Sequence, residues 1–388
     1  MKSFPENIPV HRVQVPASKS ISNRLLMLKY SAIPQLQLHN LSASDDTCLL
    51  QSLLEKIQVA AAEGEWVELD VDNCGTAFRF LLPYLSQKKG KWRVVGTERM
   101  CRRPIRPLVD VLRGWGAEIR MPETGSLPLE IIGRELHPSD AFVDISQSSQ
   151  FLSALLLLLP SLQQDICLRY DPQAPSVSYL QMTLQLMRNL GFDISCKAGE
   201  IRYRTASSLP GKMDLTVERD WSSAAFWWAW AALQPVPYRL FIEGLADTGC
   251  QADAVMHRLL SLWGVQTHFT ENGVWIEKTQ PLHLPQHFAF DGRNCLDLIP
   301  LLSVLCHLLE IPYVFTGVDN LQLKESDRIA AVKTNLRLAA DGSPYVFRSF
   351  GDHRIVMAFS LFSAFGKVTF DHPEAVSKSY PAFWEQFK

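Results

Sequence analysis

The stretch Leu184–Cys196, LQLMRNLGFDISC, places apolar residues at helical spacing, then Gly191, then an alternating run typical of a strand. The same order occurs in LVDVLRGWGAEIRM around Gly116 and in MHRLLSLWGVQTHF around Gly264, so the glycines are 75 and 73 residues apart. A glycine just after a helix favours the left-handed turn that ends it. Helix–glycine–strand segments are common in α/β proteins, but the nearly constant spacing predicts a repeated α-then-β unit. A weaker copy, AAVKTNLRLAADG, ends at Gly342 without an obvious strand after it.

The chain has 388 residues, which is long enough for two or three domains. Around Glu218–Asp220 a strand-like DLTV gives way to a helix that starts with DWSS, and this change predicts a domain crossing. The matching crossing lies before Lys19 if the first strand belongs to the C-terminal half. We therefore expect one domain over residues 17–218 and a second domain built from residues 1–16 and 219–388.

The bulk composition is that of an ordinary folded protein without a basic surface for nucleic acid. The chain is 47% hydrophobic and 20% charged with a formal net charge of −2, so it has no basic field for nucleic acid. The N-terminus lacks an apolar signal segment, and the apolar run 151–160 is too short to cross a bilayer, so we expect no membrane association. Eight scattered cysteines without a C-x-x-C pair favour a reducing cytoplasm over a zinc site or a disulfide framework.

The segment PASKSISNR, residues 16–24, gathers hydrogen-bond donors where the chain turns into an apolar helix. A helix start has unpaired N–H groups and a partial positive charge, so Lys19 and Arg24 there would suit a phosphate or carboxylate. The ordinary alternative is a capped helix, with Ser18 or Ser20 as the N-cap and the cations in solvent.

Similar polar clusters lie at other predicted helix or loop boundaries. Glu325 and Arg328 are three residues apart and can share a helix face, although a surface ion pair is the ordinary alternative. Asp297, taken alone, is an ordinary acid at a helix N-terminus. The chain has no P-loop, no G-x-G-x-x-G after a strand, no H-E-x-x-H and no G-x-S-x-G. We therefore expect anion handling by side chains, with no metal and no cofactor.

Taken together, these clusters resemble the 3-phosphoshikimate 1-carboxyvinyltransferases, or EPSP synthases, of the enolpyruvyl transferase family. The matching blocks follow the family order and span nearly the whole chain: KSISNR (19–24), SDDT (44–47), DNCGTAFR (72–79), ERMCRRPI (98–105), SSQFLSALL (148–156), LDLIP (296–300), LKESDR (323–328), GDHRIVMAFS (351–360) and SKSYPAFW (377–384). Each block is weak alone, and the ordered set is specific.

The resemblance implies an α/β (α+β) fold of two similar domains, each built from about three βαβαββ units in an inside-out α/β barrel, with the active site in the interdomain cleft. It implies transfer of the enolpyruvyl group of phosphoenolpyruvate to the 5-hydroxyl of shikimate 3-phosphate, with release of phosphate. This step belongs to the shikimate pathway to chorismate and the aromatic amino acids. The implied partners are these two small anions, and we expect a monomer.

The resemblance also implies roles for particular residues. Asp297 takes the 5-hydroxyl proton, Glu325 protonates the methylene carbon, and Lys19 is the third catalytic residue. The implied ligands of shikimate 3-phosphate are Lys19, Ser20, Arg24, Ser148, Ser149, Gln150, Ser176, Tyr179, Asp297, Asn320 and Lys324. The implied ligands of phosphoenolpyruvate are Lys19, Gly75, Arg103, Gln150, Arg328, Arg354 and Lys378. The first domain would bind mainly shikimate 3-phosphate, and the second would carry the acid–base pair.

The chain departs from the family by being short after Thr47 and after Arg328, so we expect one trimmed unit in each domain. Cys74 also stands where the family usually has alanine. One alternative function is the related UDP-N-acetylglucosamine enolpyruvyl transferase, but Cys101 is too close to Arg103 for that family's cysteine acid. Another alternative is a non-catalytic anion binder, which would have no need for the acid–base pair.

Overall fold

The structure is a computed structural model that describes residues 10–60, 64–123, 125–205 and 213–387. The strands are β1 His11–Val13, β2 Gln37–His39, β3 Trp66–Asp70, β4 Gly90–Val95, β5 Glu118–Arg120, β6 Leu129–Gly133, β7 Ala141–Phe142, β8 Ile166–Arg169, β9 Asp193–Lys197, β10 Glu200–Arg204, β11 Asp214–Thr216, β12 Tyr238–Glu243, β13 Gln266–Thr270, β14 Gly273–Lys278, β15 Phe288–Asp291, β16 Tyr313–Thr316, β17 Tyr345–Phe347 and β18 Val368–Phe370.

The α-helices are α1 Lys19–Ser31, α2 Asp45–Val59, α3 Gly75–Gln87, α4 Glu98–Cys101, α5 Arg106–Gly114, α6 Gln150–Leu162, α7 Val177–Asn189, α8 Trp221–Leu233, α9 Val255–Leu262, α10 Ile299–Leu308, α11 Arg328–Ala339, α12 His353–Phe359 and α13 Phe383–Gln386. Short 3₁₀ helices cover Ala252–Ala254, Leu296–Leu298, Asp319–Leu323, Ser360–Ala364 and Pro373–Lys378. Within the described ranges, none of these helices has the length and apolar character needed to span a membrane.

The chain forms two compact units. The N-unit contains Lys19–Ser42 and the described part of Asp46–Val217. The C-unit contains the described residues up to Ser18, then Ala43–Asp45, and then the described residues from Glu218 onward. The expected domains were 17–218 and 1–16 plus 219–388, and residues 1–9 of the second lie outside the described part of the chain.

Three four-stranded sheets share one topology. Their strand orders are β3-β4-β6-β5 and β7-β8-β10-β9 in the N-unit and β1-β12-β14-β13 in the C-unit. In each sheet the first two strands are parallel and the last two form an antiparallel hairpin, which is the predicted βαβαββ unit. Because β1 pairs in parallel with β12, the first strand of the chain belongs with the C-terminal half.

The three glycines of the sequence repeat end helices as predicted. Gly116, Gly191 and Gly264 have φ values of 93°, 84° and 105°, a left-handed region that glycine enters at little cost. They follow α5, α7 and α9 and precede β5, β9 and β13. Gly342 also has a positive φ, 80°, after α11. The strand after it, β17, pairs in parallel with β18 and does not start a hairpin.

Three further units are reduced to a parallel strand pair: β11-β2 in the N-unit, and β15-β16 and β17-β18 in the C-unit. The helices α10 and α12 connect the two strands of the C-unit pairs. In the described residues, none of the three carries the closing hairpin. The expected trimming is therefore confirmed in the N-unit, whereas the expectation of one trimmed unit in the C-unit was too low. In the second reduced unit, β18 is followed by the 3₁₀ helix Pro373–Lys378 and the short helix α13.

The central helices of each unit precede the second strand of each parallel pair, and α3, α6, α10 and α12 also connect the first strand of the pair to the second. In the N-unit α1, α3 and α6 pack against one another, and α6 is buried from Phe151 to Pro160. In the C-unit α10 packs against α8 and α12 around a core that includes Trp221, Trp227 and Trp228. Residues of the candidate site lie at the N-termini of these helices. The barrel and the interdomain cleft stay predictions.

Candidate active site

The first cluster of the N-unit begins with Lys19. The sequence predicted polar residues ahead of a helix, but α1 already begins at Lys19, so Ser20 and Arg24 lie inside it. The Ser18 hydroxyl is buried and makes no hydrogen bond to the described residues, so it does not cap the helix. Lys19 Nζ lies 2.9 Å from Asp46 Oδ2, and both side chains are largely buried. This ion pair holds the lysine at the start of the helix.

Arg24 is only 2% exposed and joins two helices. Its Nε donates to Thr183 Oγ1 at 2.7 Å, and its Nη2 donates to the Tyr179 carbonyl at 3.1 Å. Its Nη1 donates to the Ser20 carbonyl at 2.8 Å. The structure thus brings three predicted ligands, Ser20, Arg24 and Tyr179, together. It also shows that the Arg24 guanidinium holds α1 against α7.

Gly75 and Arg103, both predicted ligands of phosphoenolpyruvate, touch each other. A Cβ atom on Gly75 would lie 2.5 Å from Cζ, Nη1 and Nη2 of Arg103, so only glycine lets the guanidinium come this close. Arg103 is 6% exposed, and its Nε and Nη1 find no hydrogen-bond partner in the part of the chain that the structure describes. Buried donors without partners are costly, and an anion would satisfy them.

Cys74 caps α3 at the same place. Its thiol accepts a hydrogen bond from the Ala77 N–H at 3.3 Å, which is the position of the N3 donor. The cysteine that departs from the family pattern therefore does the work of a helix cap next to Gly75. The cap leaves the backbone at the start of α3 ordered for the approach of Arg103.

Gln150, predicted to touch both substrates, is oriented by two side chains. Arg79 Nη1 donates to Gln150 Oε1 at 2.7 Å, and Gln150 Nε2 donates to Thr76 Oγ1 at 3.2 Å. Arg79 also donates to the Pro104 carbonyl at 3.1 Å. The sequence analysis assigned no role to Arg79, although a charged residue inside the apolar stretch AFRFLL was a signal that could have indicated one.

The three predicted serines lie at helix starts. Ser148 Oγ accepts from the Gln150 N–H at 3.3 Å, and Ser149 is the N-cap residue of α6. Ser176 is the N-cap residue of α7, with a left-handed φ of 64°. The side chains of Ser149 and Ser176 make no capping hydrogen bond to the described backbone. Ordinary capping therefore does not explain these two hydroxyls.

The C-unit cluster is centred on Arg328, which is 1% exposed and contacts three carboxylates. Nη1 donates to Asp297 Oδ1 at 2.8 Å, Nη2 to Glu325 Oε2 at 2.9 Å, and Nε to Asp352 Oδ2 at 2.8 Å. The expectation that Glu325 and Arg328 share a helix face was wrong, because α11 begins at Arg328 with Asp327 as its N-cap. A loop carries Glu325 to the guanidinium instead.

Asp297 lies in the 3₁₀ helix directly before α10, the helix N-terminus that the sequence predicted. Besides Arg328, it contacts Arg354 Nη2 at 3.4 Å and Lys324 Nζ at 3.8 Å. Burial alone would raise the pKa of Asp297, but the charges of Lys324, Arg354 and Arg328 prevail and hold it well below its usual value. Asp297 is therefore ionised at neutral pH.

Asp352, to which the sequence analysis gave no role, positions both arginines. It is fully buried and caps α12 by accepting from the Arg354 N–H at 2.9 Å. It also accepts from Ser326 Oγ at 2.9 Å and from Arg328 Nε. The Arg354 side chain donates through Nη1 to the Ser222 carbonyl at 2.9 Å, and its buried Nε has no hydrogen-bond partner among the described residues.

Two further predicted ligands lie on 3₁₀ helices of the C-unit. Asn320 is in Asp319–Leu323, directly ahead of Lys324, and Lys378 ends Pro373–Lys378. The roles of these residues stay predictions. The remaining arrangement in the C-unit is an ionised carboxylate, a second carboxyl group and several cations, which suits proton transfer on an anionic substrate.

Residues 10–387 match the family model described as EPSP synthase (3-phosphoshikimate 1-carboxyvinyltransferase). The chain belongs to the EPSP synthase family. A 3-phosphoshikimate 1-carboxyvinyltransferase of Bacteroides fragilis is 36% identical over 97% of this chain and 94% of the relative. One from Nitrosomonas europaea is 31% identical over 97% of this chain and 95% of the relative.

Solved structures of the EPSP synthase and enolpyruvyl transferase class share the fold. EPSP synthase from Acinetobacter baumannii superposes with a TM-score of 0.71 at 22% identity, covering 97% of this chain and 94% of that one. The enolpyruvyl transferase NikO from Streptomyces tendae superposes with a TM-score of 0.69 at 16% identity, covering 98% and 94%. The mixed α/β fold expected from the sequence is thus confirmed.

Proposed function

We infer that the protein transfers the enolpyruvyl group of phosphoenolpyruvate to the 5-hydroxyl of shikimate 3-phosphate, giving 5-enolpyruvylshikimate 3-phosphate and phosphate. The match of residues 10–387 to the EPSP synthase family carries this conclusion. The reaction is a step of aromatic amino acid biosynthesis. The protein is accordingly a transferase.

The N-unit cluster supports the binding of shikimate 3-phosphate. Lys19 and Arg24 supply positive charge at the start of α1, and the Ser149 and Ser176 hydroxyls are not used as helix caps. We assign this substrate to the residues Lys19, Ser20, Arg24, Ser148, Ser149, Gln150, Ser176 and Tyr179, with Asp297, Asn320 and Lys324 from the C-unit.

We assign phosphoenolpyruvate to Lys19, Gly75, Arg103, Gln150, Arg328, Arg354 and Lys378. Support comes from the buried donors of Arg103 and Arg354 that find no partner in the described residues. Each substrate carries a phosphate and a carboxylate. Two unit charges of like sign 4 Å apart repel by about 4 kcal/mol at an effective dielectric of 20, so the two anions meet only if cations neutralise them.

The reaction needs a base and an acid, and we assign these roles to Asp297 and Glu325. Ionised Asp297 accepts the proton of the 5-hydroxyl as its oxygen bonds to C2 of phosphoenolpyruvate. Glu325 donates a proton to the methylene carbon, which becomes a methyl group in a tetrahedral intermediate. Glu325, ionised by the first step, takes a proton back from that methyl group as the bond to phosphate breaks and the double bond forms again. The departing phosphate takes up the proton that Asp297 holds, directly or through solvent. Arg328 holds both carboxyl groups, at 2.8 and 2.9 Å.

Phosphate release by the purified protein tests this function. We expect release only when phosphoenolpyruvate and shikimate 3-phosphate are both present. Release with UDP-N-acetylglucosamine in place of shikimate 3-phosphate would support the related sugar-nucleotide enzyme instead. Binding of both anions without release under any condition would support a non-catalytic binder.

We further propose that the protein acts as a monomer in the cytoplasm. All eight cysteines are thiols outside disulfide bonds, which suits a reducing compartment. Light scattering of the purified protein should give a mass near the 43.9 kDa of one chain. A mass twice as large would contradict the monomer.

A further inference from the structure

Asp253 is a buried carboxyl group of the C-unit that the proposed mechanism does not use. It lies in the 3₁₀ helix Ala252–Ala254 and is 4% exposed. Ser222 Oγ donates to Asp253 Oδ2 at 2.5 Å, while the carbonyl of the same serine accepts from Arg354 Nη1 at 2.9 Å. Ser222 therefore links Asp253 to the arginine that we assign to phosphoenolpyruvate.

The surroundings of Asp253 contain an excess of acids. The carboxyl groups of Asp297 and Asp220 and the positive charge of Arg354 all act on it, and the thiol of Cys295 lies beside it. The helix α9 packs against the 3₁₀ helix that carries Asp253. The titratable group His257 on α9 lies 3.6 Å from Asp247. Burial, and after it the charge of Asp297, raise the pKa of Asp253 to about 7.

The positive charge of Arg354 therefore interacts with three carboxylates before any substrate binds. The negative charges of Asp297, Asp220 and Asp253 all raise the pKa of Arg354. An anionic substrate at Arg354 adds further negative charge to the same place. Neutralising Asp253 costs the least free energy. Asp297 contacts Arg328 and Arg354 directly, and Asp220 accepts two hydrogen bonds from Ser223, whereas Asp253 has no direct cation contact among the described residues and accepts a hydrogen bond from Ser222.

We propose that Asp253 is a positioning residue whose carboxylate takes up a proton from solvent when an anionic substrate binds at Arg354, so that the charge of the arginine is left to the substrate. This proposal rests on the assignment of Arg354 to phosphoenolpyruvate. The proton comes from water or buffer and returns there when the product leaves, so no other reactant is needed.

The test compares wild type with Asp253→Asn, which keeps the shape of the side chain and cannot ionise. The KM for phosphoenolpyruvate is measured from pH 6 to 9. The ionisation of the substrate itself is common to both proteins and cancels in the ratio of the two KM values. We expect the KM of wild type divided by the KM of Asp253→Asn to rise above pH 7. The total rise should be about tenfold for each unit by which substrate binding raises the pKa of Asp253. A ratio that does not change with pH overturns the proposal.

Ser222→Ala provides a second variant in case the first does not fold. The Ser222 hydroxyl favours the ionised form of Asp253, so its removal should move the rise in KM to higher pH. A purely structural role would change KM or kcat by the same factor at every pH, and that result also overturns the proposal. Failure of wild type to release phosphate at any pH would refute the proposed function itself, and the present proposal with it.

Discussion

Substitution of Gly75 by alanine tests the contact between α3 and Arg103. The new Cβ would lie 2.5 Å from Cζ, Nη1 and Nη2 of Arg103. Ordinary contacts between such atoms are about 3.5 Å, so the guanidinium must withdraw by about 1 Å. Gly75 begins a helix with a backbone that alanine also adopts, and the atoms that must move are the end of a flexible side chain. We therefore expect the fold to tolerate the change.

The expected effect is on phosphoenolpyruvate. A misplacement of about 1 Å in a positioning group can cost about 100-fold, or about 2.7 kcal/mol of transition-state stabilisation. Part of this loss is recovered where Arg103 can reach the anion from its new position. We thus expect kcat/KM for phosphoenolpyruvate to fall by about 10- to 100-fold, with the KM for shikimate 3-phosphate changed by no more than about twofold.

Steady-state phosphate release at varied phosphoenolpyruvate measures the loss. Gly114→Ala is the matched control, because it makes the same change near the end of α5, where the new Cβ meets no described atom within 4 Å. We expect this control to behave as wild type. The reasoning is refuted if Gly75→Ala keeps the kcat/KM of the control, or if both substrates are affected equally.

Arg328→Lys keeps the positive charge but offers one nitrogen to three carboxylates, so it loses at least two charge-assisted hydrogen bonds. The free energy of unfolding, measured in urea, should fall by about 3–5 kcal/mol. The control Arg337→Lys, at an exposed position of the same helix, should leave the free energy of unfolding unchanged. Glu325→Gln should keep binding of shikimate 3-phosphate, measured by calorimetry, and lose most turnover; unchanged turnover would remove Glu325 from its role. Asp253 has a pKa of about 7 when folded and about 3.9 when unfolded, so the folded state binds more protons between these values and stability falls as pH rises through that window, by at most about 4 kcal/mol. Urea unfolding at pH 5 and pH 8 should show a smaller fall for Asp253→Asn, and an equal fall in both proteins would contradict the assignment.

Sequence reasoning succeeded where the signal is local. Glycine after an apolar helical stretch marked Gly116, Gly191 and Gly264, because ending a helix depends on a few consecutive residues. It erred where neighbours along the chain were taken as neighbours on one element. Ser20 was taken as a possible cap but lies inside α1, and Glu325 meets Arg328 from a loop.

Residues that act by holding others were the hardest to find. Arg79 orients Gln150, and Asp352 joins two arginines. The residues next to Arg79 and Asp352 in the chain do not indicate which side chains they contact. The second reduced repeat of the C-unit was missed for a related reason. A missing hairpin leaves no sequence pattern to recognise. The short strand pair is defined only by the pairing of β17 with β18 in the folded protein.

The amino-acid order alone determined the alternation of helices and strands and the kinds of side chain present, because periodicity and glycine act over a few residues. The return of β1 to the C-terminal half was only a condition in the sequence, and its pairing with β12 decided it. The packed structure decided which charges meet. Gly75 makes room for Arg103, and Arg328 collects Asp297, Glu325 and Asp352, only because burial of the helices brings distant segments to fixed distances. Charge interactions depend on those distances and on exclusion of water, and neither quantity is local in the chain.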